Sequence, residues 1–300
     1  MRVSPESGRC SNIARESSEP MLGSAPVARR WLLIEHPGPW AKNHLETPPI
    51  SPSLAAAIES GCAELQGRSL LVRRHGRRAP GEAPSWYAVD SAHGTWVTGT
   101  WRTSDDLLAA VAAMGAPLAQ SEALAEPMLL VCTQGTRDAC CALRGRPITA
   151  ALAKVWPDEV WECTHLSGHR FAGTFLSMPD GTCFGKVDMA DAVDIVRSHR
   201  AGEVDTRHLR GLARWSPAVQ AATGWVLAEH GPAPITAARP GTVDVVSETV
   251  TRVEVIGDDP LPDTTWVEVT AEALPPAPLS CGKGPGEHTA YRTAVCSGPA

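Results

Sequence analysis

Two short segments near the middle of the chain concentrate side chains that can ligate a metal. The first begins at Cys132 and ends in the adjacent pair Cys140 and Cys141, and the second contains His165 and His169. Thiolates and imidazoles are preferred ligands of zinc, copper and iron–sulfur clusters. Cys132 ends one predicted strand and His165 follows another, so the two segments could meet at one edge of a sheet. The pattern predicts a site with the ligands Cys132, Cys141, His165 and His169.

Two metal groups suit this set of ligands. Structural zinc is commonly bound by two cysteines and two histidines. Rieske-type [2Fe–2S] clusters also have two thiolate and two imidazole ligands, although these follow a different order along the chain. Eight residues separate Cys132 from Cys141, whereas paired zinc ligands are typically two to four residues apart. The wider loop favours the two-iron group, and Zn²⁺ is the alternative.

Composition and charge exclude several other classes of protein. The 300 residues carry a net charge of -6, which disfavours nucleic-acid binding. The longest stretch free of charged and strongly polar residues, 107–119, is shorter than the roughly 20 residues of a membrane span, and the first ten residues lack the apolar core of a signal peptide. Nine cysteines without such a signal favour metal or redox use over disulfides. We therefore expect a cytoplasmic protein that binds neither nucleic acid nor membrane.

The order strand, helix, strand, hairpin, helix is predicted twice along the chain. In the first half, strands are expected at 31–35, 69–73, 86–90 and 95–98, and helices at 54–65 and after Ser104. In the second half, strands are expected at 128–132, 160–163, 171–178 and 183–187, and helices at 148–156 and 189–196. This order is expected of a thioredoxin-like layer, in which helices cover a mixed sheet. The prediction is an α/β protein with a thioredoxin-like domain at 123–235, preceded by a degenerate copy at 1–122.

The last third of the chain has a different pattern. A helix at 216–229 and strands at 243–246, 250–255 and 265–269 predict a β-rich extension at 236–300. The tail from Pro275 onward is rich in Gly and Pro and is expected to be loose. Cys281 in this tail and Cys10 near the start of the chain are interpreted as single thiols, exposed or packed.

The central segments resemble those of the sucrase/ferredoxin-like family. The resemblance rests on Cys132 to Cys141 with GTRD at 135–138, on RGRP at 144–147, on WECTH at 161–165 and on GHRF at 168–171; it extends to CS at 10–11 and WLLIEHPGPW at 31–40. It implies a thioredoxin-like ferredoxin domain that carries one [2Fe–2S] cluster. By similarity, Cys132 and Cys141 would bind one iron, and His165 and His169 would replace the second cysteine pair on the other.

The histidine pair has consequences for the implied cluster. Neutral imidazoles leave the oxidised site formally uncharged, whereas four thiolates leave it negative, so an added electron costs less energy. A reduction potential nearer the Rieske range of about -150 to +300 mV than the roughly -400 mV of plant-type ferredoxins is expected. A histidine ligand can also lose a ring proton on oxidation. Arg137 and Arg170 are interpreted as residues that raise the potential or dock partners, or equally as donors that anchor the loops.

The neighbouring cysteines have alternative interpretations. Cys140 could replace Cys141 as a ligand, but the family spacing favours Cys141, and Cys140 is then a buried thiol packed under the loop. Cys163 is interpreted as a core residue. A thioredoxin-like thiol oxidoreductase is a further alternative, although the chain has no Cys-x-x-Cys and adjacent cysteines form only a strained disulfide. His36, at the corresponding edge of the first half, is interpreted as a turn residue.

The function predicted from these residues is one-electron transfer. The expected partners are redox proteins, and a flavin-dependent reductase is a donor by analogy. We predict no catalytic residues. Glycoside hydrolysis needs two carboxylates placed across a sugar ring, and the sequence offers no such pair, so sucrase activity is not expected.

Overall fold

The computed structural model describes residues 8–76, 81–116 and 127–298. A short helix, α1 (Cys10–Glu16), precedes the first repeat. The elements of that repeat are β1 (Arg30–Glu35), α2 (Pro52–Glu64), β2 (Gly67–Arg74), β3 (Ser85–Asp90), β4 (Thr95–Thr100) and α3 (Ser104–Gly115). The predicted domain boundary between residues 122 and 123 lies outside the described residues, and the division into domains stays a prediction.

The second repeat has the same order of elements. They are β5 (Met128–Cys132), α4 (Ala139–Ala153), β6 (Val160–Cys163), β7 (Phe175–Met178), β8 (Thr182–Phe184) and α5 (Ala192–Arg200). The rest of the chain forms β9 (Leu209–Leu212), α6 (Pro217–His230), β10 (Ala238–Val245), β11 (Val250–Gly257), β12 (Thr264–Pro278) and β13 (Pro285–Val295). Within the described residues, no helix is long and apolar enough to cross a bilayer.

The two repeats share one curled sheet. In each, the first strand is parallel to the second and antiparallel to the third, and the third pairs with the fourth. The strand order β4-β3-β1-β2 of the first repeat recurs as β8-β7-β5-β6 in the second. The repeats join where β2 pairs antiparallel with β6, and β9 extends the sheet beside β8 to nine strands. The predicted α/β class with a mixed sheet is confirmed.

The apolar strands explain why helices cover this sheet. Along β1, Leu32 and Ile34 pack beneath α2 and α3, whereas Trp31 and Leu33 point to the opposite face. That opposite face also receives apolar residues of β5 and β6, so the two repeats share a core there. Strands buried on both faces have continuous apolar sequences. The positions of these strands could therefore be predicted from the sequence.

The carboxyl-terminal tail differs from the expectation of a loose segment. Strand β12 continues to Pro278, and β13 pairs antiparallel with it to complete a four-stranded sheet. The register shifts between Leu274 and Ala277, where the two prolines cannot donate ladder hydrogen bonds. The proline and small residues of this part of β12 do not form the alternating apolar pattern that predicts a strand. The expectation was wrong because backbone pairing, rather than an apolar face, defines this hairpin, whose turn contains Cys281.

Candidate metal centre

Three of the four predicted ligands converge at one edge of the sheet. Cys132 is the last residue of β5, Cys141 lies in the first turn of α4, and His165 follows β6. Their ligand atoms all lie within 4.8 Å of one another, and Cys141 Sγ is 3.7 Å from His165 Nδ1. Both cysteines are buried and His165 is partly exposed. This arrangement could hold a metal ion.

The fourth predicted ligand, His169, lies against His165. Between them the chain reverses through Ser167 and Gly168, whose φ angles of 62° and 64° are left-handed. The turn brings His169 Nδ1 to 3.2 Å from His165 Nε2. A Cβ atom on Gly168 would lie 2.8 Å from the guanidinium of Arg210, so this turn requires glycine. His169 therefore extends the three-residue set; we call the four residues together the Cys/His group.

The start of α4 positions the second thiol. The helix begins at Ala139, so Cys140 and Cys141 lie in a helical turn and not in a loop. The Asp138 carboxylate caps this turn by accepting a hydrogen bond from the backbone N–H of Cys140 at 2.9 Å. A Cβ atom on Gly145 would lie 2.1 Å from the carbonyl oxygen of Cys132. The missing side chain of residue 145 thus lets α4 approach β5 closely.

The first half of the chain supports the loop that carries the site. Gln134 accepts a hydrogen bond from the backbone N–H of His165 at 2.9 Å and donates one to the carbonyl oxygen of Ala41 at 2.7 Å. Thr136 donates a hydrogen bond to the carbonyl oxygen of Trp40 at 3.1 Å. The role of Gln134 could not be predicted from the sequence, because it depends on a contact between segments more than 90 residues apart.

The pKa values of Cys132 and His169 are shifted toward the forms that bind a cation. A hydrogen bond from Cys141 holds the pKa of Cys132 well below that of an ordinary thiol, and the same shared proton raises the pKa of Cys141. Burial, followed by the nearby His165, lowers the pKa of His169 to about 4. The His169 ring is therefore neutral at pH 7 and can offer a nitrogen lone pair.

Cys140 belongs to a different group of side chains. Its sulfur is 3.7 Å from that of Cys10, 3.3 Å from that of Cys281 and 3.2 Å from Ser11 Oγ. Cys10, Asp138, Cys140 and Cys281 form a second set whose ligand atoms lie within 4.8 Å of one another. The interpretation of Cys10 and Cys281 as single thiols was therefore wrong. The contact between Cys10 and Cys281 could not be predicted, because the two residues are 271 positions apart in the sequence.

The predicted arginines and the remaining cysteine occupy distinct places. Arg170 donates a hydrogen bond from Nε to Glu19 at 2.6 Å and so anchors the amino-terminal segment. Arg137 is exposed beside the loop. Cys163 is fully buried in the core of β6. Arg210, which the sequence analysis did not single out, is buried and donates to the carbonyl oxygen of Ser167 at 3.1 Å, thereby supporting the histidine turn.

The fold and these side chains define an α/β protein with two Cys-containing sets that could hold metal ions. Comparison with known families matches residues 21–211 to the sucrase/ferredoxin-like family. The chain belongs to this family. The matched region includes all four residues of the Cys/His group and most of the nine-stranded sheet. No curated protein and no solved structure matches the chain.

Proposed function

We propose that the protein is a cytoplasmic electron carrier that holds one [2Fe–2S] cluster through the Cys/His group. The observation that carries this proposal is the convergence of a thiol pair and an imidazole pair from two segments at one sheet edge. Membership of a family described as ferredoxin-like favours an iron–sulfur group over a single ion. The donor set itself, two cysteines and two histidines, is that of a Rieske-type centre.

The surroundings of the four side chains fit this role. Cys132 and Cys141 are buried beneath the loop, whereas His165 and His169 are partly exposed. Buried thiolates are protected from water and oxidants, and the histidine side is the face that a partner can approach. When bound, a [2Fe–2S] cluster supplies a one-electron redox couple. We propose that redox proteins, including a flavin-dependent reductase as donor, dock against the histidine side.

The histidine pair also offers a path for a proton. His169 Nε2 lies 3.8 Å from a carboxylate oxygen of Asp138, and its Nδ1 faces His165. A ring N–H released on oxidation has an acceptor in this carboxylate or in water. We expect the potential to fall by up to about 59 mV per pH unit where one proton accompanies one electron.

A zinc-stabilised interaction module is the second candidate function. It is favoured by the compactness of Cys132, Cys141 and His165, whose ligand atoms are close enough for a single ion. In that case the site would stabilise the loop and α4 without redox chemistry.

Metal and sulfide analysis separates the two candidates. The full chain is purified anaerobically, analysed for iron, sulfide and zinc, reduced with dithionite and examined by electron paramagnetic resonance. We expect about two irons and two sulfides per chain and a low average g value of the Rieske type. One zinc without sulfide in the Cys/His group would reject the electron carrier and support the zinc module.

Cys132→Ala and Cys163→Ala are a matched pair for this experiment. The two cysteines lie directly opposite each other on β5 and β6, and both are buried. Each change removes the same atoms, but only Cys132 belongs to the Cys/His group. We expect Cys132→Ala to lose the cluster and Cys163→Ala to retain it. Full iron loading of the Cys132→Ala protein would overturn the ligand assignment.

A further inference from the structure

The second set of cysteines has the geometry of a metal site. The sulfurs of Cys10, Cys140 and Cys281, which we call the three-thiol group, form a triangle with sides of 3.7, 3.7 and 3.3 Å. Thiolates around tetrahedral zinc lie about 3.8 Å apart, because Zn–S bonds are about 2.3 Å long. A disulfide requires about 2.0 Å. The observed spacing is therefore close to that of three thiolates around one ion.

A buried carboxylate completes the set. Asp138 accepts hydrogen bonds from the backbone N–H groups of Cys140 and Cys281, at 2.9 and 2.7 Å, and from Ser280 Oγ at 3.0 Å. These bonds fix two of the three thiols relative to the carboxylate. Of these three hydrogen bonds, Asp138 Oδ1 accepts only the one from the backbone N–H of Cys140. Oδ1 is also the carboxylate oxygen nearer to Cys10, with a distance of 3.9 Å to Cys10 Sγ. A carboxylate oxygen can accept more than one such interaction.

The charge of this set suits a cation when its thiols are deprotonated. Three cysteines and an aspartate supply up to four negative charges, and Cys10, Cys140 and Asp138 are buried. Among the described residues, the basic side chain within ion-pair distance of Asp138 is His169, at 3.8 Å. Buried anions are stable only when they are paired or coordinate a metal.

We infer that Cys10, Cys140, Cys281 and Asp138 bind a thiophilic divalent cation of the zinc class, separately from the Cys/His group. The ion would join α1, the start of α4 and the turn between β12 and β13, three segments that are far apart in sequence. It would also hold the end of α4 that presents Cys141. The two sets share no ligand, so this inference does not rest on the proposed electron transfer.

Residue-resolved thiol protection tests the site in the full chain. The chain is reduced, stripped of metal anaerobically and titrated with Zn²⁺; the thiols are then alkylated with iodoacetamide and mapped by mass spectrometry. We expect zinc to protect Cys10, Cys140 and Cys281 together. Zinc protection confined to Cys132 and Cys141 would overturn the inference.

Cys281→Ser and Cys296→Ser are the matched variants. Both cysteines are partly exposed in the carboxyl-terminal region, but only Cys281 belongs to the three-thiol group. We expect Cys281→Ser to weaken zinc protection of Cys10 and Cys140 more than about 100-fold, beyond the effect of losing a supporting contact. Cys296→Ser should leave this protection unchanged. Equal zinc affinity in both serine variants would reject the site.

A third variant, Cys281→His, distinguishes the loss of a zinc ligand from a structural effect of the Cys281→Ser change. Cys281→His replaces the thiolate with an imidazole, which is another common zinc ligand, and leaves a donor set of two cysteines, one histidine and Asp138. We expect it to restore zinc protection of Cys10 and Cys140, whereas failure of this rescue in a folded protein contradicts the inference. Iron analysis of the same variants as purified, before the metal is stripped, reports on the Cys/His group independently, so either proposal can fail alone.

Discussion

The two repeats have the same strand order, but the ends of their first strands differ in chemistry. In the second repeat, β5 ends at Cys132, which faces another thiol and an imidazole. In the first, β1 ends at Glu35 and is followed by His36, whose Nε2 donates a hydrogen bond to the carbonyl oxygen of Pro48 at 2.7 Å. Glu35 accepts one from the backbone N–H of Ser85 at 2.8 Å. The polar groups of the first edge are used to shape turns.

This comparison shows how one scaffold serves two purposes. The first repeat has the strand geometry of a site without its thiols, and its loop at 40–41 instead receives hydrogen bonds from Gln134 and Thr136 of the second repeat. It therefore supports the loop that presents the Cys/His group. The presence of a site depends on a few side chains at strand ends rather than on the sheet.

The largest expected effect is the loss of iron when an imidazole is removed from the Cys/His group, compared with the removal of an imidazole at the corresponding edge of the first repeat. His165→Ala removes a member of the convergent set, and we expect loss of most of the bound iron. His36→Ala removes only a hydrogen bond to a carbonyl group and should keep the full iron content. Iron and sulfide analysis measures both. Similar iron loss in the two variants would mean that the edges do not differ as described.

Exchanging an imidazole for a thiolate should keep the cluster but change its potential. His169→Cys adds a negative charge next to the bound group, so we expect a potential lower by a few hundred millivolts, toward the roughly -400 mV of all-cysteine ferredoxins. The pH dependence should also weaken, because a ring N–H is lost. Redox titration at several pH values measures both effects. An unchanged potential in an iron-loaded variant would exclude His169 as a ligand.

Helix glycines provide a comparison of packing between the repeats. A Cβ atom on Gly145 of α4 would collide with the backbone carbonyl of Cys132, whereas one on Gly61 of α2 would meet the side chain of Val111, at 2.4 Å. A side chain can adjust and a strand backbone cannot. We expect Gly145→Ala to lower the free energy of unfolding by about 1–3 kcal/mol and to reduce iron content. Gly61→Ala gains helix propensity of up to about 1 kcal/mol and should be nearly neutral in urea unfolding.

The smallest expected effect is a pH-dependent loss of stability at the seam between the repeats, where β2 pairs with β6. Glu162 of β6 lies opposite Arg73 of β2 and also accepts a hydrogen bond from Thr133 at 2.9 Å. Burial would raise the pKa of Glu162, but the hydrogen bonds and charge of Arg73 outweigh it and hold that pKa below its ordinary value. The resulting stability is present above the unfolded pKa of about 4.3 and is lost as the pH falls through the folded pKa.

Glu162→Gln tests this seam. We expect a loss of about 1–2 kcal/mol in the free energy of unfolding at pH 7, typical of a hydrogen bond to a charged group, and a smaller difference from the parent protein below about pH 4. Glu272→Gln is the control, because its pair with Arg292 is about half exposed and should contribute less than about 1 kcal/mol. Equal losses in both variants, or a difference independent of pH, would contradict this account of the seam.

Elements with continuous apolar runs could be predicted from the sequence. Features that depend on contacts between segments far apart in the sequence could not. The strands that end at Glu35 and Cys132 were located because they are buried on both faces. The grouping of Cys132 with His165 followed from the rule that adjacent strands end at one edge. The contact of Cys10 with Cys281 could not be predicted, because it requires a hairpin with an irregular, proline-containing register.

The position of Cys281 late in the chain has a consequence for biosynthesis. The Cys/His group is complete once His169 has emerged from the ribosome. The three-thiol group joins Cys10 to Cys281, which are 271 residues apart, and must wait until Cys281 has also emerged. At about 5–20 residues per second, the interval between the two events is on the order of 10 s. During that interval Cys10 and Cys140 lack Cys281, so the proposed cluster can form in the Cys/His group before the three-thiol group is complete.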